Sequence, residues 1–273
     1  MPDRFASIPL WVAPGADLLQ AATLARELDI NRIDTPPNQG PLLRLTRDRL
    51  EFCILGNPDL PGALWVDFES VQAQRRSRFS GRELLIRAAR IRGVEHPLLV
   101  DATAGLGRDG FLLAAHGFRV EMIEANPVVA ALLADGLARA RRLSHLKAVL
   151  DRIRLVVGNA VEVFSTLQEQ PAVIYLDPMF PERTKSAKVK QDLRLLQLLD
   201  QHNNAPEDLL ATALATGVKK VVVKRPLKGP FLADLRPSYS LKGKAVRFDV
   251  FQGKHRKESP ARPAQAAAEQ GEH

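Results

Sequence analysis

Asp101-Ala-Thr-Ala-Gly105-Leu-Gly107-Arg108-Asp109 is the stretch whose reading decides the fold. It follows the apolar run Leu98-Leu-Val100, which reads as a strand, and opens a helical pattern near Asp109. Glycines at a strand-to-helix turn let backbone come close to a bound molecule at a helix start. A second signal, Asp177-Pro178-Met179-Phe180, closes the apolar strand Ala172-Val-Ile-Tyr-Leu176. Parallel strands end on one edge of their sheet, and open α/β sheets bind ligands there. Both signals are therefore expected to face one crevice.

Outward from this stretch, strands alternate with helices. Strands are predicted at Leu98 to Asp101, Arg119 to Glu124, Ile153 to Gly158 and Ala172 to Asp177. Helices are predicted at Asp109 to His116, Pro127 to Arg142, Ala160 to Gln168, Val189 to His202 and Pro206 to Ala215. Such alternation predicts a parallel sheet with right-handed crossovers. A later strand at Lys219 to Lys224 precedes Ser238-Tyr-Ser-Leu241 and Ala245 to Phe251, which read as an antiparallel hairpin turning at Gly243. This is an α/β chain with the layout of a Rossmann-like class I methyltransferase sheet, ending in an antiparallel hairpin. Residues 1–74 read as a small α+β N-terminal appendage, with a helix from Ala16 to Leu28, strands at Leu42 to Leu45 and Leu50 to Leu55, and a further strand near Trp65 to Phe68. Residues 75–96 form a basic linker and helix, residues 97–253 the main domain, and residues 254–273 a polar tail expected to be disordered.

Composition narrows the function classes. The 273 residues are 45% hydrophobic, enough for a sizeable core, and carry a net charge of +8. The pI of 9.9 favours an acidic partner, nucleic acid before an anionic membrane surface. No apolar run approaches the ~20 residues of a membrane span, and the first residues lack the order of a signal peptide, so a cytoplasmic protein is expected. The single Cys53 excludes an internal disulfide and reads as core, and the six histidines show no ligand spacing, so no metal is expected.

Gly105-Leu-Gly-Arg-Asp-Gly110 matches G-x-G-x-x-G, and Glu124 follows Gly105 by 19 residues at a strand end. That pattern serves dinucleotides, but an acid at Asp101 would repel a pyrophosphate and attract the ammonium or sulfonium of S-adenosylmethionine. Arg108 and Asp109 would serve the cofactor's carboxylate and amine, or simply start the helix; Glu124 would take its ribose hydroxyls, or stand as a solvated strand-end acid. Asn159 would border the adenine or cap the next helix. Asp177 and the Pro178 carbonyl can accept the two hydrogens of an exocyclic base amine, with Phe180 stacked on the base, and Asp177 can take the departing proton. A track of Arg75, Arg76, Arg78, Arg82, Lys185, Lys188, Lys224 and Arg225 is expected to hold RNA phosphates.

The stretches Asp101 to Asp109, Asn126 to Leu133, Tyr175 to Pro181, Val221 to Pro226 and Arg247-Phe-Asp249 together make the chain resemble the RsmJ family, bacterial guanine-N2 methyltransferases of small-subunit ribosomal RNA. The resemblance spans about Trp65 to Phe251. It implies S-adenosylmethionine as donor and one guanine of 16S ribosomal RNA, free or in the small ribosomal subunit, as acceptor. On the motif positions it implies cofactor contacts at Arg108, Asp109, Glu124, Ala125, Asn159, Ala160 and Asp177, beside Asp101, Gly105 and Gly107 of the turn. An amine methyltransferase of tRNA or DNA, and a non-catalytic RNA-binding assembly factor, are the competing readings.

Overall fold

The computed structural model describes residues 8–70, 84–178, 187–199 and 205–253. The N-terminal unit holds β1 (Leu10–Val12), α1 (Leu18–Glu27), β2 (Arg32–Ile33), β3 (Gly40–Leu45), β4 (Leu50–Leu55) and β5 (Ala63–Leu64). Its sheet runs β2-β1-β3-β4-β5, with β1 parallel to both neighbours and β3, β4 and β5 antiparallel. After it come α2 (Leu84–Ala89), β6 (Leu98–Asp101), α3 (Arg108–Ala115), β7 (Arg119–Glu124), α4 (Pro127–Arg141), α5 (Lys147–Leu150), β8 (Ile153–Val157), α6 (Ala160–Val163) and β9 (Val173–Leu176). The chain continues through α7 (Ala187–Leu199), α8 (Pro206–Ala215), β10 (Lys220–Pro226), β11 (Tyr239–Lys242) and β12 (Val246–Gln252).

The larger sheet has the order β11-β12-β10-β9-β6-β7-β8. Strands β6 to β10 are parallel, and β12 pairs antiparallel with both β10 and β11, so the expected hairpin is present. One face is covered by Phe111, Leu133 and Leu137 from α3 and α4, the other by Leu210 and Ala213 from α8. That two-sided cover suits the near-continuous apolar strands of a parallel sheet. Asn126 starts α4, its side chain accepting from the N–H groups of Val128 and Val129 at 2.9 and 3.0 Å, with Pro127 in the first turn.

Two expected elements differ. Trp65 to Phe68 is not a strand: Val66 and Phe68 leave the sheet and bury themselves against α3 and α4. Phe68 stacks on Phe111 at 4.9 Å, and a Cβ on Gly136 of α4 would come within 2.4 Å of Val66 Cγ1, so only glycine admits this approach. Full burial of each of these rings contributes about 2 kcal/mol. The N-terminal unit and the larger sheet thus share one hydrophobic cluster. The helix expected to run to Gln168 ends at Val163, where the hydroxyls of Ser165 and Thr166 donate to the carbonyls of Glu162 and Val163 at 2.7 and 3.0 Å.

Candidate active site

Strands β6 to β10 end on one edge, and their last residues build the site. Asp101 closes β6 with a side chain 1% exposed, Oδ1 accepting the N–H of Thr103 at 3.3 Å. Burial, and after it the charges of Asp109, Asp177 and Glu124, raise its pKa well above the usual aspartate value despite the Thr103 bond. A raised folded-state pKa stabilises the fold below the ordinary value of about 3.9, and that contribution is lost as pH rises through the folded value. Asp101→Asn is therefore expected to gain stability relative to the wild type as pH rises. Urea denaturation of both proteins across pH 4 to 8 measures this, and a pH-independent difference would contradict it.

The glycine turn has a sealed and an open side. Gly107, at φ +71°, precedes α3, and a Cβ there would lie 2.6 Å from Leu133 Cδ1 and 3.1 Å from Phe68 Cζ. Gly105, at φ +52°, has nothing within 4 Å of its Cβ position. Glu124, buried at the end of β7, accepts the N–H of Gly105 at 2.7 Å and that of Asn126 at 2.8 Å. Its carbonyl accepts from Gly158 N at 2.9 Å, which brings the end of β8 alongside. Asn159 caps α6, accepting from Val161 N at 2.9 Å, and Ala160 is buried behind it.

The Asp-Pro end of β9 joins this turn through a lysine. Val223 of β10 pairs with Leu176 of β9, which sets Lys224 across from Asp177. Lys224 Nζ donates to Asp177 Oδ2 at 2.7 Å and to Asp109 Oδ2 at 3.0 Å, while Tyr175 donates its hydroxyl to the same Asp109 oxygen at 2.7 Å. The Asp177 N–H donates to Thr103 Oγ1 at 2.7 Å. Burial works to lower the Lys224 pKa, but Asp109 and Asp177 outweigh it and hold the value above that of an ordinary lysine. The Tyr175 phenol, raised by burial and then by Asp109, remains a proton donor.

Asp101, Gly105, Gly107, Asp109, Glu124, Asn159 and Asp177 thus meet on one edge, with Ala125 next to Glu124 and the buried Pro178 next to Asp177. Arg108 reaches α7, donating to Asp192 Oδ2 at 2.6 Å. Two residues expected on an RNA-facing track are turned inward. Lys224 spends its charge between two carboxylates, and Arg225 is 4% exposed and donates to the Pro230 carbonyl at 3.0 and 3.2 Å. Phe180, Arg75, Arg76, Arg78, Arg82 and Lys185 lie outside the described residues, as does the side chain of Lys188 in α7. Thr103 and Tyr175 were not foreseen. Tyr175 carries a signal, because it stands two residues before Asp177 and so projects from the same side of an extended chain.

The SAM_MT family model, SAM-dependent methyltransferase, matches residues 24–253. The ribosomal RNA small subunit methyltransferase J of Pseudomonas syringae pv. tomato is 43% identical over 226 residues, covering 81% of this chain and 83% of the relative. That of Nitrosococcus oceani is 44% identical over 239 residues, covering 85% and 92%. A solved SAM-dependent methyltransferase from Neisseria gonorrhoeae is 35% identical, with a TM-score of 0.73 over 90% of this chain and 96% of that one.

Proposed function

The chain belongs to the SAM-dependent methyltransferase family, alongside the relatives named ribosomal RNA small subunit methyltransferase J, and from that premise we propose that it methylates the exocyclic N2 of a guanine in 16S ribosomal RNA. The residues present fit the donor. Open space lies over Gly105, and the Glu124 carboxylate bonded to its N–H disfavours a pyrophosphate there. When bound, S-adenosylmethionine supplies an electrophilic methyl group carried on a positively charged sulfur.

The chain's own residues hold and orient. Glu124 takes the ribose hydroxyls, Asn159 and Ala160 border the adenine, and Arg108 with Asp109 meets the amino-acid end. The acceptor amine is a poor nucleophile because its lone pair is delocalised into the base. Asp177 and the Pro178 carbonyl accept its two hydrogens, and Phe180 stacks on the base, so the nitrogen lone pair is aimed along the line of displacement. Accepting these hydrogens offsets the positive charge that builds on nitrogen as the new C–N bond forms, and Asp177 receives the proton that leaves. The observation that carries the reading is the bond set Thr103–Asp177–Lys224–Asp109, which ties the acceptor motif to the donor turn.

The test offers methyl-labelled S-adenosylmethionine with 16S ribosomal RNA, assembled small subunits, tRNA or DNA, and locates the product by mass spectrometry. Label on a guanine N2 of 16S ribosomal RNA is expected. Label in tRNA or DNA alone would overturn the substrate, and calorimetry without cofactor binding would overturn the enzyme. The reading puts the protein with cytoplasmic ribosomes; among the described residues no helix is long and apolar enough to cross a membrane.

The two sides of the glycine turn give a paired expectation. Gly105→Ala puts a methyl group on the open side, at about 1 kcal/mol of backbone strain from the positive φ, and is expected to weaken cofactor binding about ten-fold, a change of about 1.4 kcal/mol. Gly107→Ala drives one into Leu133 and is expected to cost roughly 2–3 kcal/mol of stability. Calorimetry and urea denaturation separate the two, and the opposite assignment of effects would contradict this account of the turn.

A further inference from the structure

Beyond β10 the chain does something the methyl-transfer chemistry does not need. Arg247, 5% exposed, donates from Nη1 to the carbonyls of Pro226, Leu227 and Gly229 at 3.0, 3.1 and 2.7 Å, and from Nη2 to that of Pro230 at 3.1 Å. Asp249, 2% exposed, accepts from Arg247 Nε at 2.9 Å and from Ser240 Oγ at 2.5 Å. Arg225 adds its bonds to Pro230 from the other side. Two buried guanidinium groups thus clamp four of the five carbonyls between Pro226 and Pro230. Satisfying so many acceptors with buried charge fixes the loop in one shape.

That shape presents an aromatic ring. Phe231, the residue after the clamp, is 39% exposed, and the Arg247 guanidinium lies 5.0 Å from its centroid, which orients the ring. The following residues Ala233 and Asp234 both have φ of +53°, so the chain bends sharply away from it. Because β10 and β9 are parallel, this loop starts on the edge that carries Asp177. The β11–β12 turn lies on that edge too, since Leu227 N donates to Ala245 O at 3.0 Å and Pro226 pairs with Val246. Lys228 and Arg236 in this stretch and Lys242 and Lys244 at the hairpin turn are all exposed, against the single acid Asp234 between Leu227 and Ala245.

We infer that this clamped loop and the adjacent hairpin turn form a docking surface for the single-stranded RNA that flanks the acceptor nucleotide, with Phe231 stacking on a base and Lys228, Arg236, Lys242 and Lys244 holding phosphates. The inference rests on the ribosomal RNA reading and deepens it. An aromatic ring amid cations is the chemistry of single-strand binding, since every base has a face to stack and every linkage a charge to neutralise. A loop fixed before binding loses little freedom when RNA arrives.

The test measures fluorescence anisotropy of a labelled 16S ribosomal RNA fragment that the wild-type protein methylates. Phe231→Leu, which keeps apolar bulk without a ring, is expected to bind about ten-fold more weakly, while Phe231→Trp binds within about two-fold of wild type. Lys242→Ala with Lys244→Ala is expected to reduce the slope of log affinity against log salt by about 1.4, two single-strand phosphate contacts. Cofactor affinity by calorimetry stays at the wild-type value in every variant, which shows that the fold is intact. Wild-type affinity and salt slope in these variants, with wild-type methylation present, would overturn the surface alone. A wild-type protein that methylates no ribosomal RNA would overturn the functional reading, and the surface with it.

Discussion

Asp177→Ala is expected to lower the turnover number by about 10³-fold while changing S-adenosylmethionine affinity less than about three-fold. In the proposed mechanism the carboxylate accepts an amine hydrogen and the departing proton, so its loss would remove both the aim of the nucleophile and the base. The backbone does not depend on it: the Asp177 N–H keeps its bond to Thr103 Oγ1, and β9 keeps its ladder with β6 and β10. Asp177→Asn retains one acceptor oxygen but no base, and should fall between alanine and wild type. Single-turnover methylation with saturating RNA measures the step, and calorimetry measures the cofactor. Unchanged turnover in Asp177→Ala would remove the role assigned to this side chain.

Lys224→Met is the second large effect, and it acts through Asp177. The ammonium is shared by Asp109 and Asp177, whose side chains are 19% and 33% exposed, with Lys224 itself at 23%. Methionine keeps the bulk and deletes the charge, leaving two carboxylates together with the buried Asp101. Breaking a buried pair on one side costs about 3–5 kcal/mol, and the residual exposure here puts the expected loss of stability nearer 2–3 kcal/mol. A raised lysine pKa contributes stability below the ordinary value of about 10.4 and loses it only as pH climbs through the folded value, so the full loss is present at neutral pH. Turnover should fall about 10²-fold, because Asp177 Oδ2 loses its fixed partner. Removing a nearby cation also disfavours the carboxylate form, so the acid limb of the pH–rate profile should move to higher pH. Lys224→Arg, which restores the charge, should bring that limb back. A Met variant with a lower turnover but an unmoved acid limb would mean that Lys224 is structural only.

Much of the fold was legible because its punctuation is chemical. Glycines at a strand end, Asn126 with Pro127, and Asp177 with Pro178 mark boundaries that few other residue types can occupy, and β6, β7 and α8 begin and end where the pattern puts them. The site was legible only in part. Asp101, Glu124 and Asp177 sit at strand ends, where position alone argues for a shared edge. Lys224 and Arg225 stand at a strand end too, and there a basic residue reads as surface charge; only the register of β10 against β9, and the carbonyls gathered around Pro230, turn them inward. Neither is visible before the strands are paired. The substrate was legible by resemblance rather than from spacing, since an Asp-Pro strand end suits several exocyclic amines equally.

Phe68 lies beneath the glycine turn against Gly107, and Val66, two residues earlier, is seated on α4 against Gly136. Residues 8–70 are in this sense the foundation of the proposed cofactor cradle. A fragment starting beyond Phe68 would carry every motif that names the reaction, yet would leave an apolar wound under the loop that must stay in shape for it. The span of the recognisable motifs is therefore expected to be shorter than the smallest piece of chain able to work.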